Sequence, residues 1–310
     1  MAALRQEGKR IMQKAWAPRT LQMFEVGKRS FEQFRASGDP PVKVGPASSE
    51  EIADFISYLS LNKKAPSTMH SYVCAIANWH KVMGWQDPCK SFQVKAYLKG
   101  VTRDTGAPDA RKPITIALLS CLIDMLPHIC SSPYEVELFK GVFLLAFFGL
   151  FRIGELVCAN KTGPNSRVLQ ISDIAFKANQ MRVIIRFSKT DQTGKSTTII
   201  FEGKANEKLC PVQGMKRFLE KRRFSAGPLF RHADMTYLSR FQFNKVLQMA
   251  MEVIDKTITD VKSHSFRIGG ATNAISKGVP YEKVKEMGRW QSDAAKKYIR
   301  LPCINVAALV

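Results

Sequence analysis

The run GVFLLAFFGLF, Gly141 to Phe151, constrains this chain more than any other stretch of it. It carries no charge and no polar side chain, yet it is far shorter than the ~20 apolar residues a helix needs to cross a bilayer. A segment apolar on every side and too short to span a membrane must be a helix buried in a soluble core. The rest of its domain has to wrap around it. ITIALLSCLIDML, just upstream, reads as a second helix, and the buried run turns out of its helix at GLFRIGEL, residues 149–156. RVLQISDIAF, MRVIIRF and TTIIF follow as strands, rich in β-branched and aromatic residues. SKTDQTGKS joins the last two as a Gly-containing hairpin loop that carries Lys189 and Lys195. Helices return at CPVQGMKRFLEKRR and from about Leu238 to Ile254.

The first part of the chain has a different texture. Residues 1–16 are polar and are expected to be loosely ordered. Leu21, Phe24, Phe31 and Phe34 then form an approximate helical stripe that stops at Gly38-Asp39-Pro40-Pro41. SSEEIADFISYLSLN predicts a second helix, with Ser48 or Ser49 as N-cap and Ile52, Phe55, Ile56 and Leu59 as its apolar face. A third is capped by Ser67 and ended by Gly84, and a fourth runs from about Ser91 to Gly100. No segment here alternates with period two. Residues 1–105 are therefore expected to be an all-helical bundle, 106–113 a linker, and 114–310 a mixed α+β domain of mainly helices with a small antiparallel three-stranded sheet. The expected fold class is α-rich, in two domains.

Charge says what such a chain meets. Its 310 residues carry a net charge of +21. The excess is not a single tail: residues 1–108 hold 16 Lys+Arg against 9 Asp+Glu, and the remainder holds 31 against 17. Two basic halves suit a clamp on a polyanion, and double-stranded DNA is the expected partner. The 7 cysteines form no C-x-x-C pair and lie mostly in apolar segments, so reduced core thiols are expected, with no structural zinc. The polar start lacks the apolar core of a secretory signal, which points to an intracellular protein without membrane attachment.

Lys262 to Arg300 carries the chemistry. It reads as three short helices, 267–277, 281–287 and 292–300, broken by Gly278-Val279-Pro280 and Gly288, and the small residues of GGATNA are suited to packing against a neighbour. His264 and Arg267 are three apart and face the same way on one helical turn. A His, an Arg and a late Tyr, Tyr298, meeting in one concavity would suit attack on a phosphodiester. The Arg holds anionic oxygens in a planar fork, the His shares a proton, and the Tyr is a covalent nucleophile.

HSFR, then MGRW and KKYIR, preceded by GLFRIGEL and by FSKTDQTGKS, resemble the motifs of the tyrosine recombinase (phage-integrase-like) family in their order along the chain. The flavour is that of recombinases from eukaryotic mobile elements such as cryptons and DIRS-like retrotransposons. The resemblance covers nearly the whole chain: a SAM-like core-binding bundle, a linker and a catalytic domain. It implies Arg152 and Arg267 as the arginines on the phosphate, Glu155 as a supporting carboxylate, Lys189 as general acid with Lys195 in reserve, and His264 as a proton-sharing group. It also implies Tyr298 as nucleophile. Trp290 would fill the remaining slot, or Arg289 one residue earlier. No metal, nucleotide or other cofactor is implied. A tetramer on two duplexes is implied, and a nuclear location if the source is eukaryotic. Lys63, Lys64, Arg222, Arg223, Arg240 and Lys245 are expected DNA contacts. Three readings stay open: a site-specific recombinase serving mobile-element integration or excision, a DNA-binding descendant with lost chemistry, and a type IB topoisomerase-like enzyme.

Overall fold

The computed structural model of the chain describes residues 1–38, 45–104, 110–161, 167–187, 196–204 and 208–300. Two compact units divide it, Met1–Pro108 and Asp109–Val310.

In the first unit, the described residues outside turns and loops are helical. The polar start forms helix α1 (Ala2–Gln13) rather than a loose segment. Ala, Leu, Arg, Gln, Glu and Lys are strong helix formers, and Glu7 pairs with Arg10 one turn later. Helix α2 (Pro18–Ala36) packs along α4 (Pro66–Met83), and α3 (Ser49–Leu61) along α5 (Phe92–Asp104). The first pair is close because Gly27 has no side chain: a Cβ there would lie 2.7 Å from that of Ala75. Helix α3 starts at a capping box, in which Ser48 Oγ accepts from Glu51 N and Glu51 Oε2 accepts from Ser48 N. Glu51 also receives the Arg35 guanidinium in a two-pronged pair at 3.0 Å per prong. Phe31, Ile52, Phe55, Ile56, Met69, Val73 and Ile76 fill the core. His80 lies fully inside it: its Nδ1 pairs with the Ile76 carbonyl at 2.9 Å, and its Nε2 accepts from Ala47 N at 2.8 Å.

The second unit is built around α7 (Pro133–Phe148), whose Leu138, Val142, Phe143, Leu144, Leu145 and Phe147 have no exposed surface. Helix α6 (Ile116–Ile129) contributes Leu119, Leu122 and Leu126 to the same core, and α9 (Pro211–Lys221) contributes Val212, Met215 and Phe218. Helix α10 (Arg240–Ile254) adds Phe243 and Leu247, and α11 (Ser263–Ser276) adds Phe266. The sheet is antiparallel in the order β1 (Ile174–Lys177), β2 (Gln180–Ile185), β3 (Thr197–Glu202). Met181, Val183 and Ile185 on alternate positions of β2 face the core, and Met181 sits opposite Phe201 on β3. The expected fold class, helical with a small three-stranded antiparallel sheet, is the one observed.

Local differences have local causes. Of the predicted strand 167–176, only its end is a strand, because residues 171–173 form a 3-10 turn capped by Asp173 on Gln170. His264, expected just ahead of its helix, lies inside α11. Helix α12 (Tyr281–Gly288) follows, and the last predicted helix is a tighter 3-10 segment, Asp293–Tyr298. Cys158 and Cys210 are buried, but Cys74 and Cys121 are exposed, which corrects the expectation of core thiols for that pair. No helix among the described residues is long and apolar enough to cross a membrane.

Candidate active site

The site begins where α7 ends. Gly149 must be glycine, since a Cβ there would fall 2.3 Å from the Phe151 ring. Leu150 follows with φ +47, a left-handed conformation that costs a leucine on the order of 1 kcal/mol or more, and its side chain is buried. This turn sets Arg152 as N-cap of the short helix α8 (Ile153–Leu156). Glu155 then folds back on it: its Oε2 accepts from Arg152 N at 2.9 Å and its Oε1 from Arg152 Nη1 at 3.1 Å.

The turn is stitched to the end of α12. Arg289, the C-cap of that helix, has φ +56 and a buried guanidinium. Its Nη2 donates to Glu155 Oε2 at 2.8 Å and to the Leu150 carbonyl at 3.1 Å, and its Nη1 donates to the Met287 carbonyl at 3.0 Å. The strained Leu150 carbonyl also accepts from Arg267 Nη1, while Arg267 Nη2 donates to the Gly288 carbonyl. Arg267 is 1% exposed and lies with its Cζ 4.2 Å above the Trp290 ring centre. Its Nε is buried, with no hydrogen-bond partner among the described residues.

Three guanidinium groups thus converge with one carboxylate, an excess of positive charge in a shielded place. Burial, reinforced by the charges of Arg152 and Arg289, brings the Arg267 guanidinium down to about 9. An anion seated here would relieve that unfavourable charging. The same burial lowers Arg289, with Glu155 opposing it.

Tyr298 closes the constellation. Its hydroxyl lies 3.2 Å from His264 Nε2, and the two rings meet edge to face at 5.5 Å. The tyrosine ring also lies 5.0 Å from Trp290, so Tyr298, Trp290 and Arg267 form one stack. Trp290 is held there by the missing side chain of Gly288, where a Cβ would overlap the indole.

The structure therefore brings Arg152, Glu155, His264, Arg267, Trp290 and Tyr298 together. Arg289, named from the sequence as a substitute for Trp290, sits beside it instead: the tryptophan is stacked on Arg267 and the arginine ties Glu155 to α12. Lys189 and Lys195 lie outside the described residues. Among the expected DNA contacts, Lys63, Lys64, Arg223, Arg240 and Lys245 are exposed. Arg240 extends over the first-arginine turn, where a Cβ on Gly154 would lie 3.3 Å from its Nη2. Arg222 must be withdrawn from that set. It is buried: its Nε donates to the Leu229 carbonyl and its Nη2 to those of Ala226 and Pro228, where the chain turns through Gly227. Nothing in KRRF separates this inward arginine from its outward neighbour.

No protein-family model matches the chain. In sequence it is similar to an integrase/recombinase XerD homologue of Selenomonas ruminantium, 25% identical over 302 residues that cover 93% of this chain and 82% of that protein. In fold it is similar to the Tn1549 transposon integrase solved with circular-intermediate DNA, at 12% identity and a TM-score of 0.65 over 97% of this chain and 96% of that one. XerH recombinase, solved on a palindromic difH substrate, matches at 14% identity and a TM-score of 0.64, over 89% of this chain and 75% of that one. A lambda integrase dimer bound to a core site matches at 14% identity and a TM-score of 0.62, over 98% of each chain. The chain thus shares its fold with these integrases and recombinases, and its sequence likeness runs to a recombinase homologue.

Proposed function

We propose that this chain is a site-specific DNA recombinase that cuts and rejoins strands through a 3′-phosphotyrosine on Tyr298. The observation that carries the reading is the Tyr298 hydroxyl 3.2 Å from His264 Nε2, beside three converging arginines. The phenol oxygen attacks phosphorus as its proton passes toward His264, and the bond to the 5′-oxygen breaks. That oxygen leaves with a proton from the hairpin lysine, Lys189, with Lys195 in reserve. Charge building on the non-bridging oxygens is taken by Arg152 and Arg267, which is where electrostatic preorganisation acts most strongly. Glu155, itself tied to Arg289, holds Arg152; the Leu150 and Gly288 carbonyls hold Arg267; and Trp290 supports both Arg267 and the tyrosine. The covalent intermediate conserves the broken bond for religation, so the reaction calls for no metal or nucleotide.

Several finer points belong to the same proposal. The enzyme works as a tetramer on two duplexes, and it moves an element of the crypton or DIRS-like kind by integration or excision. In a eukaryotic source it acts in the nucleus. The outward lysines and arginines, Lys63, Lys64, Arg223, Arg240 and Lys245, neutralise phosphates flanking the cut.

One observation favours a second reading, a DNA-binding descendant that no longer cuts: both terminal nitrogens of Arg267 are held by backbone carbonyls. A single experiment separates the two. Wild type and Tyr298→Phe are incubated with nicked duplexes of randomised core sequence, and DNA that stays attached after denaturation is recovered. Adducts from wild type alone establish the recombinase chemistry and report the target sequence. DNA retention without adducts from either protein supports the descendant.

A further inference from the structure

Tyr298 is the final residue of a six-residue 3-10 segment, and short segments of this kind hold themselves in place poorly. Beyond its ring contacts, Thr272 holds the backbone around it among the described residues. The Thr272 hydroxyl donates to the Tyr298 carbonyl at 3.3 Å and accepts from Arg300 N at 3.0 Å. One oxygen thus spans the backbone on both sides of the tyrosine, with its single donor and one acceptor position both used. The side chain of the same tyrosine points the other way, to His264. His264 and Thr272 lie on one helix, α11, eight residues apart, or about 12 Å along its axis. The nucleophile is therefore pinned at its backbone and at its hydroxyl to one rigid body.

That body is itself fixed. A Cβ on Gly269 would meet the Ile114 carbonyl, and one on Gly270 the Phe147 carbonyl. The GGATNA run is thus more than a small-residue packing surface: its glycines lock α11 against the core, and its threonine turns that rigidity onto Tyr298. Arg267 rides on the same helix, so a single element carries a phosphate-binding arginine, the histidine and the anchor of the nucleophile.

We infer that Thr272 is a positioning residue that holds Tyr298 in register with His264 and Arg267. This rests on Tyr298 being the nucleophile, and it assigns Thr272 a part in catalysis without contact to DNA. A shift of the tyrosine by even 1 Å would misalign an in-line attack. In this role the methyl group is dispensable and the hydroxyl is not.

The test compares Thr272→Val, which keeps the shape and removes the hydroxyl, with Thr272→Ser, which keeps the hydroxyl. The full chain is used, with a nicked duplex recovered from the randomised selection at saturating concentration. Thr272→Val is expected to slow adduct formation at least about tenfold, the scale of one lost hydrogen bond, with DNA affinity unchanged. Thr272→Ser is expected to return to within about threefold of wild type. Hydrogen exchange of the Arg300 amide in the DNA-free protein gives a second readout independent of activity, with protection expected in wild type and Ser but lost in Val. Wild-type adduct rates in Thr272→Val, or failure of Thr272→Ser to rescue, would overturn the assignment while leaving the recombinase reading intact. An Arg300 amide unprotected in wild type would overturn the clamp whatever the chemistry. If wild type forms no adduct although the amide is protected through Thr272, the clamp stands and the nucleophile reading falls.

Discussion

Arg289 and Glu155 meet at 2.8 Å across 134 residues of chain, with both side chains only 6% exposed. The pair closes the turn after α7 onto the end of α12, and it does so where three arginines crowd one carboxylate. Removing one member of such a buried pair leaves the other charge uncompensated. Glu155→Ala is therefore expected to destabilise the second unit by about 3 kcal/mol, and Arg289→Ala by less, since Glu155 keeps its pair with Arg152. The double variant should lose clearly less than the sum, since the two changes remove one interaction. Urea unfolding of the four proteins measures this, and additive losses would show that the pair does not act as a unit.

Arg152→Ala and Arg267→Ala should each lower adduct formation by about 10²–10³-fold, the scale of one lost donor to developing negative charge. DNA affinity should fall only slightly, because many phosphate contacts remain. Single-turnover cleavage paired with filter binding gives both numbers. Near wild-type cleavage by either variant would remove that arginine from the chemistry.

Arg267 also predicts how the protein responds to pH and to anions. Burial brings its guanidinium down to about 9, so it is charged at neutral pH at a cost to folding. Below about 9 it is protonated in both folded and unfolded chains and the cost is present in full. As pH rises from about 9 toward the ordinary guanidinium value, the folded form releases its proton first and the cost is relieved. An oxyanion in the site relieves the same cost at neutral pH. Orthovanadate or phosphate should therefore raise the Tm of wild type, by up to the equivalent of about 2.7 kcal/mol at a hundredfold excess over Kd. Arg152→Ala should respond far less to the anion. Thermal melts at matched ionic strength test this; equal shifts in both proteins would place the anion elsewhere.

The basic residues of the second unit divide by direction rather than by charge. Arg223→Ala, Arg240→Ala and Lys245→Ala should each reduce the slope of log affinity against log salt by about 1, with stability unchanged. Arg222→Ala should leave that slope alone and cost about 2 kcal/mol, because three loop carbonyls lose their donor. Salt titrations of binding beside thermal melts separate the two classes.

Much of this was legible in sequence because it depends on local chemistry. An eleven-residue apolar run has to be buried, a serine at 48 or 49 suits the cap of the helix that follows it, and stretches rich in β-branched residues favour strands. The His264–Arg267 spacing puts both side chains on one turn whatever surrounds them. The polar start carries its own helix signal too, since Ala, Leu, Gln, Glu and Lys are strong helix formers.

The sequence by itself determined the fold class, through periodicity, and the excess of positive charge. Through its resemblance to a family it also pointed to Arg152, Glu155, His264, Arg267, Trp290 and Tyr298, which the structure brings together, while Lys189 and Lys195 lie outside the described residues. Only the tertiary structure decided which way an arginine faces and what holds it. Arg222 and Arg223 are neighbours with opposite fates because a loop turning through Gly227 presents three carbonyls to one of them. Arg289 and Trp290 looked like rivals for one place, and a left-handed residue at the end of α12 gave each its own. Thr272 carried no signal at all: its meaning depends on a carbonyl and an amide 26 and 28 residues away, brought to one oxygen by the packing of two helices and a turn. Local spacing sets which face of an element a side chain takes, but its partners across long stretches of chain come from the packed core, and no local pattern encodes them.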